Sequence, residues 1–316
     1  MEKRTRWGDK PYYSLDYYFK ERFGQKVYKI ALDAGMTCPN RDGTLDTRGC
    51  IFCSHGGSGE FAATCSGSVT EQIDHAIAFL NSHRKYTGEK YIAYFQSFSN
   101  TYAPVHRLRE LYTETLDHPK IAGLSIGTRP DCFSDEIYTL LEECSQRKPV
   151  WVELGLQTIH EKTAVFIRRG YALSVFEQCV KELRKRNLSV VTHIILGLPG
   201  ETADDILQTV QYLNTQDIQG VKFQLLHVLK GTDLAALLPE LSIYTQEEYI
   251  HMLLMCIARL SPDIVIHRLT GDGPGELLLA PKWSLNKRNV LNSISHALKE
   301  QGIYQGKYFN QKERSG

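Results

Sequence analysis

Residues 150–196, VWVELGLQTIHEKTAVFIRRGYALSVFEQCVKELRKRNLSVVTHIIL, decide the fold. They open on an apolar β-rich run, Val150–Gln157, and close on another, Ser189–Leu196. Between the two lies a longer helical stretch, Ala172–Arg186. Outward from this unit the same rhythm recurs. Further candidate strands are Val27–Ala31, Tyr91–Gln96, Ala122–Gly127, Val221–His227 and Ile264–Leu269. Helical stretches lie between them at Thr70–Ser82, Val105–Asp117, Ser134–Gln146 and Ala203–Asn214, the last with apolar positions Ile206, Val210 and Leu213 at helical spacing. Strand and helix alternating at this pitch make βαβ units and a parallel sheet.

A partly closed barrel and an open doubly wound sheet share that rhythm, and polar residues choose between them. Gln96, Thr128, Arg129, Gln157 and Gly197 all fall at or just past the C-terminal ends of their strands. In a (β/α) barrel many loops converge on a site at that end, whereas an open sheet uses its switch point. The pattern favours the barrel. Residues 231–263 break the rhythm with a long helical run, Thr245–Leu260, and 282–302 read as a final helix. No composition shift marks a linker. The expected organisation is an N-terminal extension (1–26), a barrel core (27–230) and a C-terminal extension packed on it (231–316).

The chain has 316 residues, 42% apolar and 23% charged, with a formal charge of +1. That balance is ordinary for a soluble globular protein and excludes disordered, collagen-like and disulfide-dense chains. The charge is unevenly placed. Residues 1–29 carry eight Lys/Arg against four Asp/Glu, and residues 282–316 carry seven against two. Charge alone favours solvated termini; a shared basic face that attracts phosphates is the alternative. No stretch is long and apolar enough to span a bilayer, and the first residues lack a signal-peptide pattern. The expected location is the cytosol, where the eight cysteines are thiols or ligands rather than disulfides.

Three of those cysteines stand together in Cys38-Pro-Asn-Arg-Asp-Gly-Thr-Leu-Asp-Thr-Arg-Gly-Cys50-Ile-Phe-Cys53. The segment follows the first candidate strand, at the end where a barrel carries its site. Its Gly, Asn and Asp residues tolerate the turns needed to wrap thiolates around a metal group. Three thiolates leave one coordination position for something other than protein. Two other chemistries use the same residues. With Cys65, four thiolates make a structural zinc site, although only one Cys-x-x-Cys knuckle is present. A redox dithiol at Cys50 and Cys53 leaves Cys38 unexplained. Cys132, Cys144, Cys179 and Cys256 are scattered and read as inert buried thiols.

The cysteine loop, with Phe52 directly before the last cysteine, resembles the cluster loop of radical S-adenosylmethionine (SAM) enzymes. The wide spacing between Cys38 and Cys50 is similar to the Elp-three-like branch. The resemblance covers nearly the whole chain. It runs through residues 26–44 (KVYKIALDAGMTCPNRDGT), 94–104 (YFQSFSNTYAP), 123–131 (GLSIGTRPD), 151–158 (WVELGLQT) and 167–171 (IRRGY). It continues through 193–202 (HIILGLPGET), 223–232 (FQLLHVLKGT), 267–274 (HRLTGDGP) and 280–283 (APKW). Within that branch the chain resembles the small bacterial stand-alone group linked to maturation of the tRNA wobble uridine.

The resemblance implies a partial (β/α)6-type radical SAM barrel with a [4Fe–4S] cluster on Cys38, Cys50 and Cys53, and S-adenosyl-L-methionine on the open iron. It implies an external one-electron donor such as a flavodoxin or ferredoxin, and no membrane. The cofactor carries the hard chemistry while the protein binds, orients and excludes water. Gln96 and Ser97 occupy the place of the motif that contacts the methionine amino group; Thr128, just past the third strand, is a further expected cofactor contact. Gln157 matches a SAM-binding Gln. Arg169 matches an Arg that pairs with the SAM carboxylate, a bidentate role suited to guanidinium, and Arg168 is equally placed. His193 aligns with a ribose contact, with a packed core histidine as the other reading. Gly197 would let backbone approach the adenine.

There are departures. Related Elp-three proteins have an acidic residue where this chain has Gly127, and an acetyl-transferring part is not expected. The implied activity is tRNA modification, specifically conversion of 5-carboxymethylaminomethyl-uridine to 5-aminomethyl-uridine at the wobble position. Basic termini would hold the tRNA backbone, and the aromatic segment Trp7, Tyr12, Tyr13, Tyr17, Tyr18, Phe19 would stack bases or serve as packing surface. Two other functions share these features: a radical SAM enzyme acting on a small metabolite, and a zinc-stabilised RNA-binding protein without catalysis.

Overall fold

The structure, a computed structural model, describes residues 4–309 apart from 58, 60, 61, 63–66 and 84–87. Cys65 therefore lies outside the described residues. The chain opens with α1 (Leu15–Phe23) and then alternates: β1 (Tyr28–Leu32), α2 (Val69–His83), β2 (Tyr91–Phe95), α3 (Val105–Asp117), β3 (Ile121–Thr128), α4 (Asp135–Arg147) and β4 (Val150–Gln157). It continues through α5 (Glu161–Phe166), α6 (Leu173–Lys185), β5 (Ser189–Leu196), α7 (Ala203–Leu213), β6 (Gly220–Leu225) and β7 (Val228–Leu229). The last part holds α8 (Asp233–Ala236), α9 (Gln246–Arg259), β8 (Val265–Arg268), β9 (Leu278–Ala280) and α10 (Lys287–Glu300).

Seven strands form one parallel sheet in the order β1-β2-β3-β4-β5-β6-β8. It curls into a half-barrel whose edges, β1 and β8, do not pair with each other. The seventh strand comes from the C-terminal segment. The sixth expected strand, Val221–His227, ends early: β6 stops at Leu225, and beyond it Val228–Leu229 turn away to pair antiparallel with β9. Helix starts follow local chemistry. Thr202 and Thr245 accept hydrogen bonds from the amides of Asp205 and Glu248, whose carboxylates return the bond. These reciprocal caps satisfy amides that a helix start leaves orphaned.

Alternate residues of each strand point outward to the helices or inward to the half-barrel. The outward set, including Leu124, Ile126, Val152 and Leu154, joins the main apolar core with helix residues such as Leu108, Leu141 and Leu183. The inward set is layered. Its floor is apolar: Phe19 of α1 packs with Val27, Ile92, Trp151 and Val191, its ring 5.5 Å from that of Trp151. The aromatic N-terminal segment thus uses Trp7 and Phe19, both 2% exposed, as packing surface. Above the floor the interior becomes polar. A third apolar cluster, Ile51, Ile167, Leu198, Leu226, Val228 and Leu234, sits under the cysteine loop. Each fully buried aliphatic side chain there contributes about 1.5–3 kcal/mol.

The two basic ends meet. The Pro11 carbonyl accepts from the Gln305 amide at 2.9 Å, and the Gln305 side chain accepts from the Tyr13 amide at 2.8 Å. The Tyr13 carbonyl in turn accepts from the Ile266 amide of β8 at 2.7 Å. Both ends therefore flank the seam between β1 and β8. None of the helices among the described residues is long and apolar enough to cross a membrane.

Candidate active site

The loop after β1 carries Cys38, Cys50 and Cys53. Short polar side chains turn it: Asp42 accepts from the Thr44 amide at 3.0 Å, and Asp46 from the Thr47 amide at 2.7 Å. Gly49 sits at φ +77°, and a Cβ there would lie 2.8 Å from the Arg41 guanidinium; only glycine suits that position. Arg41 donates to the carbonyls of Cys53 at 2.8 Å and Ser54 at 2.6 Å, while the Cys53 amide donates to the Cys50 carbonyl at 3.0 Å. Asn40 Nδ2 ties the loop to the segment after β4, donating to the Arg168 carbonyl at 2.8 Å and reaching Cys50 Sγ at 3.6 Å. The Ile51 amide donates to Ile167 at 3.2 Å, and the Ile51 carbonyl accepts from Leu234 at 2.9 Å.

The thiols crowd one another. A hydrogen bond with Cys53, burial, and the nearby Cys53 and Cys38 push the Cys50 thiol well up, against the pull of Arg129. A metal group shared by the three is the species that lets them ionise together. Among the described residues no three His, Cys, Asp or Glu side chains converge on one point as a single ion requires. An iron–sulfur cluster asks for less, because each thiolate takes its own iron. The donor set fits that group. Cys132, Cys144, Cys179 and Cys256 are buried elsewhere, as expected of inert thiols.

A cavity of about 1140 Å³ runs from these cysteines through the half-barrel to the seam, where Lys10, Lys26 and Lys287 line it. That exceeds the usual range of ~300–1,000 Å³ for one small-molecule site, so it has room for a cofactor and part of a second ligand. Gln96, Thr128, Gln157, Arg169 and His193 line it with the three cysteines. Ser97 is buried beside it. Gly197 lies against the Tyr244 ring, and Arg168 turns to Asp233 at 2.5 Å. Gln157 is held at φ +63° where β4 slips register against β5. Such backbone is costly for a side-chain-bearing residue, of order 1–3 kcal/mol, and clusters at functional sites.

The two adjacent arginines differ. The Arg169 side chain is 1% exposed and donates to the carbonyls of Thr158 (2.7 Å), Tyr171 (3.0 Å) and Leu156 (3.3 Å). Arg129, a lining residue not singled out as a SAM contact, chelates Asp131 at 2.6 and 2.8 Å and donates to the Arg169 carbonyl at 2.8 Å.

The largest group missed from sequence is a charged layer above the apolar floor. Glu153 of β4, with no side-chain exposure, accepts from Lys29 at 2.5 Å and Ser125 at 2.6 Å on one oxygen. Its other oxygen meets His193 Nε2 at 2.8 Å and the Lys222 ammonium. Lys222 also donates to the Tyr94 hydroxyl at 3.1 Å. Burial would raise the Glu153 pKa, but Lys222, Lys29 and His193 hold it well below the usual carboxylate range. Burial lowers Lys222 to about 7 despite Glu153 and lowers His193 to about 4. Glu153 is in register beside Gly127. A Cβ at Gly127 would meet the Phe95 carbonyl at 3.1 Å, so the third strand leaves little room for the acidic residue of related proteins. One signal was available from sequence: Lys29, Glu153 and Lys222 each interrupt an otherwise uncharged, β-rich run, where unpaired charge is rare.

A model of the radical SAM superfamily matches residues 47–213, more than half of the chain. The chain belongs to the radical SAM superfamily. A radical SAM C-terminal domain model matches residues 218–300. This radical SAM chain is 43% identical to the Bacillus subtilis protein YtqA over 307 residues, 96% of this chain and 95% of that one. It is 26% identical to the tRNA uridine(34) acetyltransferase of Methanocaldococcus jannaschii over 60% of this chain and 35% of that protein. Among solved structures, the archaeal Methanocaldococcus infernus Elp3 shares the fold, with TM-score 0.65 and 16% identity over 88% of this chain and 64% of that one. Family membership implies a [4Fe–4S] cluster and SAM, the groups that the three-thiol loop and the cavity fit.

Proposed function

We propose that this radical SAM protein modifies tRNA, converting 5-carboxymethylaminomethyl-uridine at the wobble position to 5-aminomethyl-uridine. The observation that carries the reading is the course of the cavity, from the three cysteines to a seam flanked by both basic chain ends. An enclosed site serves a small metabolite; a seam edged with cations admits one base of a polyanion whose backbone stays outside. The distant likeness to a tRNA uridine(34) acetyltransferase supports the same substrate class. When bound, the cluster and SAM supply a 5′-deoxyadenosyl radical able to take hydrogen from carbon.

This chain's residues do the rest. Cys38, Cys50 and Cys53 hold the cluster, and Asn40 and Arg41 keep their loop in shape. Gln96, Ser97, Thr128, Gln157 and Gly197 would surround SAM at the strand ends, with His193 farther down β5, where Glu153 holds its Nε2. Arg129 and Arg169, which line the cavity, would supply positive charge for its carboxylate, whereas Arg168 turns to Asp233. The apolar floor around Phe19 closes the half-barrel against water. The test is anaerobic reconstitution with iron and sulfide, reduction in the presence of SAM and tRNA carrying the carboxymethylaminomethyl group, and mass analysis of the released nucleosides. Loss of the carboxymethyl group alongside 5′-deoxyadenosine supports the reading. An unchanged tRNA with SAM cleaved refutes it.

A further inference from the structure

The charged layer does not balance. In and beside the layer the cavity is lined by four basic side chains, Lys29, Lys222, Arg268 and Lys287, against two carboxylates, Glu153 and Asp272. Glu153 has both oxygens filled by Lys29, Ser125, His193 and Lys222. Asp272 pairs with Arg268 at 3.4 Å and is shared with Lys287 at 2.6 Å. A buried ion network that serves stability alone is costly unless its charges are compensated. The excess here is positive and faces the cavity. Beside it two further polar atoms, His267 Nδ1 and His227 Nε2, are buried without a hydrogen-bond partner, and both rings line the same cavity. Buried polar atoms left open in this way point to a missing partner.

We propose that Lys222 and Lys29, with Arg268 beside them, form a carboxylate subsite that receives the anionic end of the modified base. The inference rests on the wobble-uridine reading and deepens it: the group to be removed carries the charge the layer lacks. Burial lowers Lys222 to about 7 despite Glu153. A second carboxylate would restore its ordinary ionisation. Glu153, which already binds both ammonium groups, then competes with that carboxylate for them.

Binding can be read without turnover. Protein reconstituted with its cluster and SAM, left unreduced, is titrated with two anticodon stem-loop RNAs. One carries carboxymethylaminomethyl-uridine and the other the matching carboxamide. Their phosphates are identical, so any difference belongs to the carboxylate. Wild type is expected to prefer the carboxylate by roughly ten- to a hundredfold, the range of a hydrogen bond to a charged group. Lys222→Met should cut the preference to within about threefold and leave carboxamide binding unchanged. Lys29→Met, at a less buried position, should act in the same direction and covers a failure of Lys222→Met to fold. Glu153→Gln should keep or raise the preference, because a competing anion is gone; a purely structural layer would weaken both RNAs in all variants. Equal binding of the two RNAs by wild type overturns the subsite and leaves the tRNA reading standing. Binding of neither overturns both.

Discussion

Arg169 and Arg168 offer the same guanidinium to a SAM carboxylate in sequence, yet their surroundings predict opposite responses to mutation. In Arg169→Met the carbonyls of Thr158, Tyr171 and Leu156 lose the donors described above. Leu156 keeps the Thr158 amide at 2.8 Å; the other two lose a buried hydrogen bond each. At about 1–3 kcal/mol for each buried group left unpaired, the cost is about 2–6 kcal/mol. Total stabilities are about 5–15 kcal/mol, so the loss is large. It falls on the segment that holds the Cys50 turn through Ile167 and Arg168. Arg168→Met loses a pair with Asp233, the two side chains 17% and 55% exposed; a pair open to water on the carboxylate side contributes about 0–1 kcal/mol. Urea unfolding of the two variants and wild type, with SAM affinity measured on each, separates the roles. Arg169→Met should shift the midpoint strongly and Arg168→Met barely. If Arg169→Met unfolds with wild type while its SAM affinity collapses, Arg169 is a ligand and the clamp argument is wrong.

Cys50→Ala should remain colourless after reconstitution with iron and sulfide and make no 5′-deoxyadenosine, whereas wild type turns brown; a colourless, zinc-loaded wild type would return the zinc-stabilised reading to first place. Stability should fall as pH drops from about 6.5 to about 4. Burial holds His193 and His227 at about 4 and His267 well below its ordinary value, so in that window the unfolded chain takes up protons the folded chain refuses. Each histidine contributes at most about 1.4 kcal/mol per pH unit. A urea midpoint at pH 5 equal to or above that at pH 7 would contradict the burial of these rings.

Every expected strand of the sheet forms within a few residues of its predicted bounds, because buried parallel strands are written as unbroken β-rich runs and their helices as periodic ones. The three cysteines were legible for a related reason: ligand chemistry needs particular residue types close together in one loop. Glu153 and its partners were not. Lys29, Glu153 and Lys222 lie on β1, β4 and β6, up to nearly two hundred residues apart, and each is a single charge in an apolar run.

Sequence by itself determined the parallel α/β sheet, the cysteine loop and the superfamily, all of which rest on local pattern. Only the tertiary structure decided what the interior holds. Curling the sheet brings β1 and β6 to the same carboxylate, so the charge balance of the cavity depends on curvature that no local pattern encodes. The fate of the two arginines was decided in the same way. A one-residue step along the backbone turns one guanidinium into the protein and the other toward its edge, and only the surrounding carbonyls distinguish them.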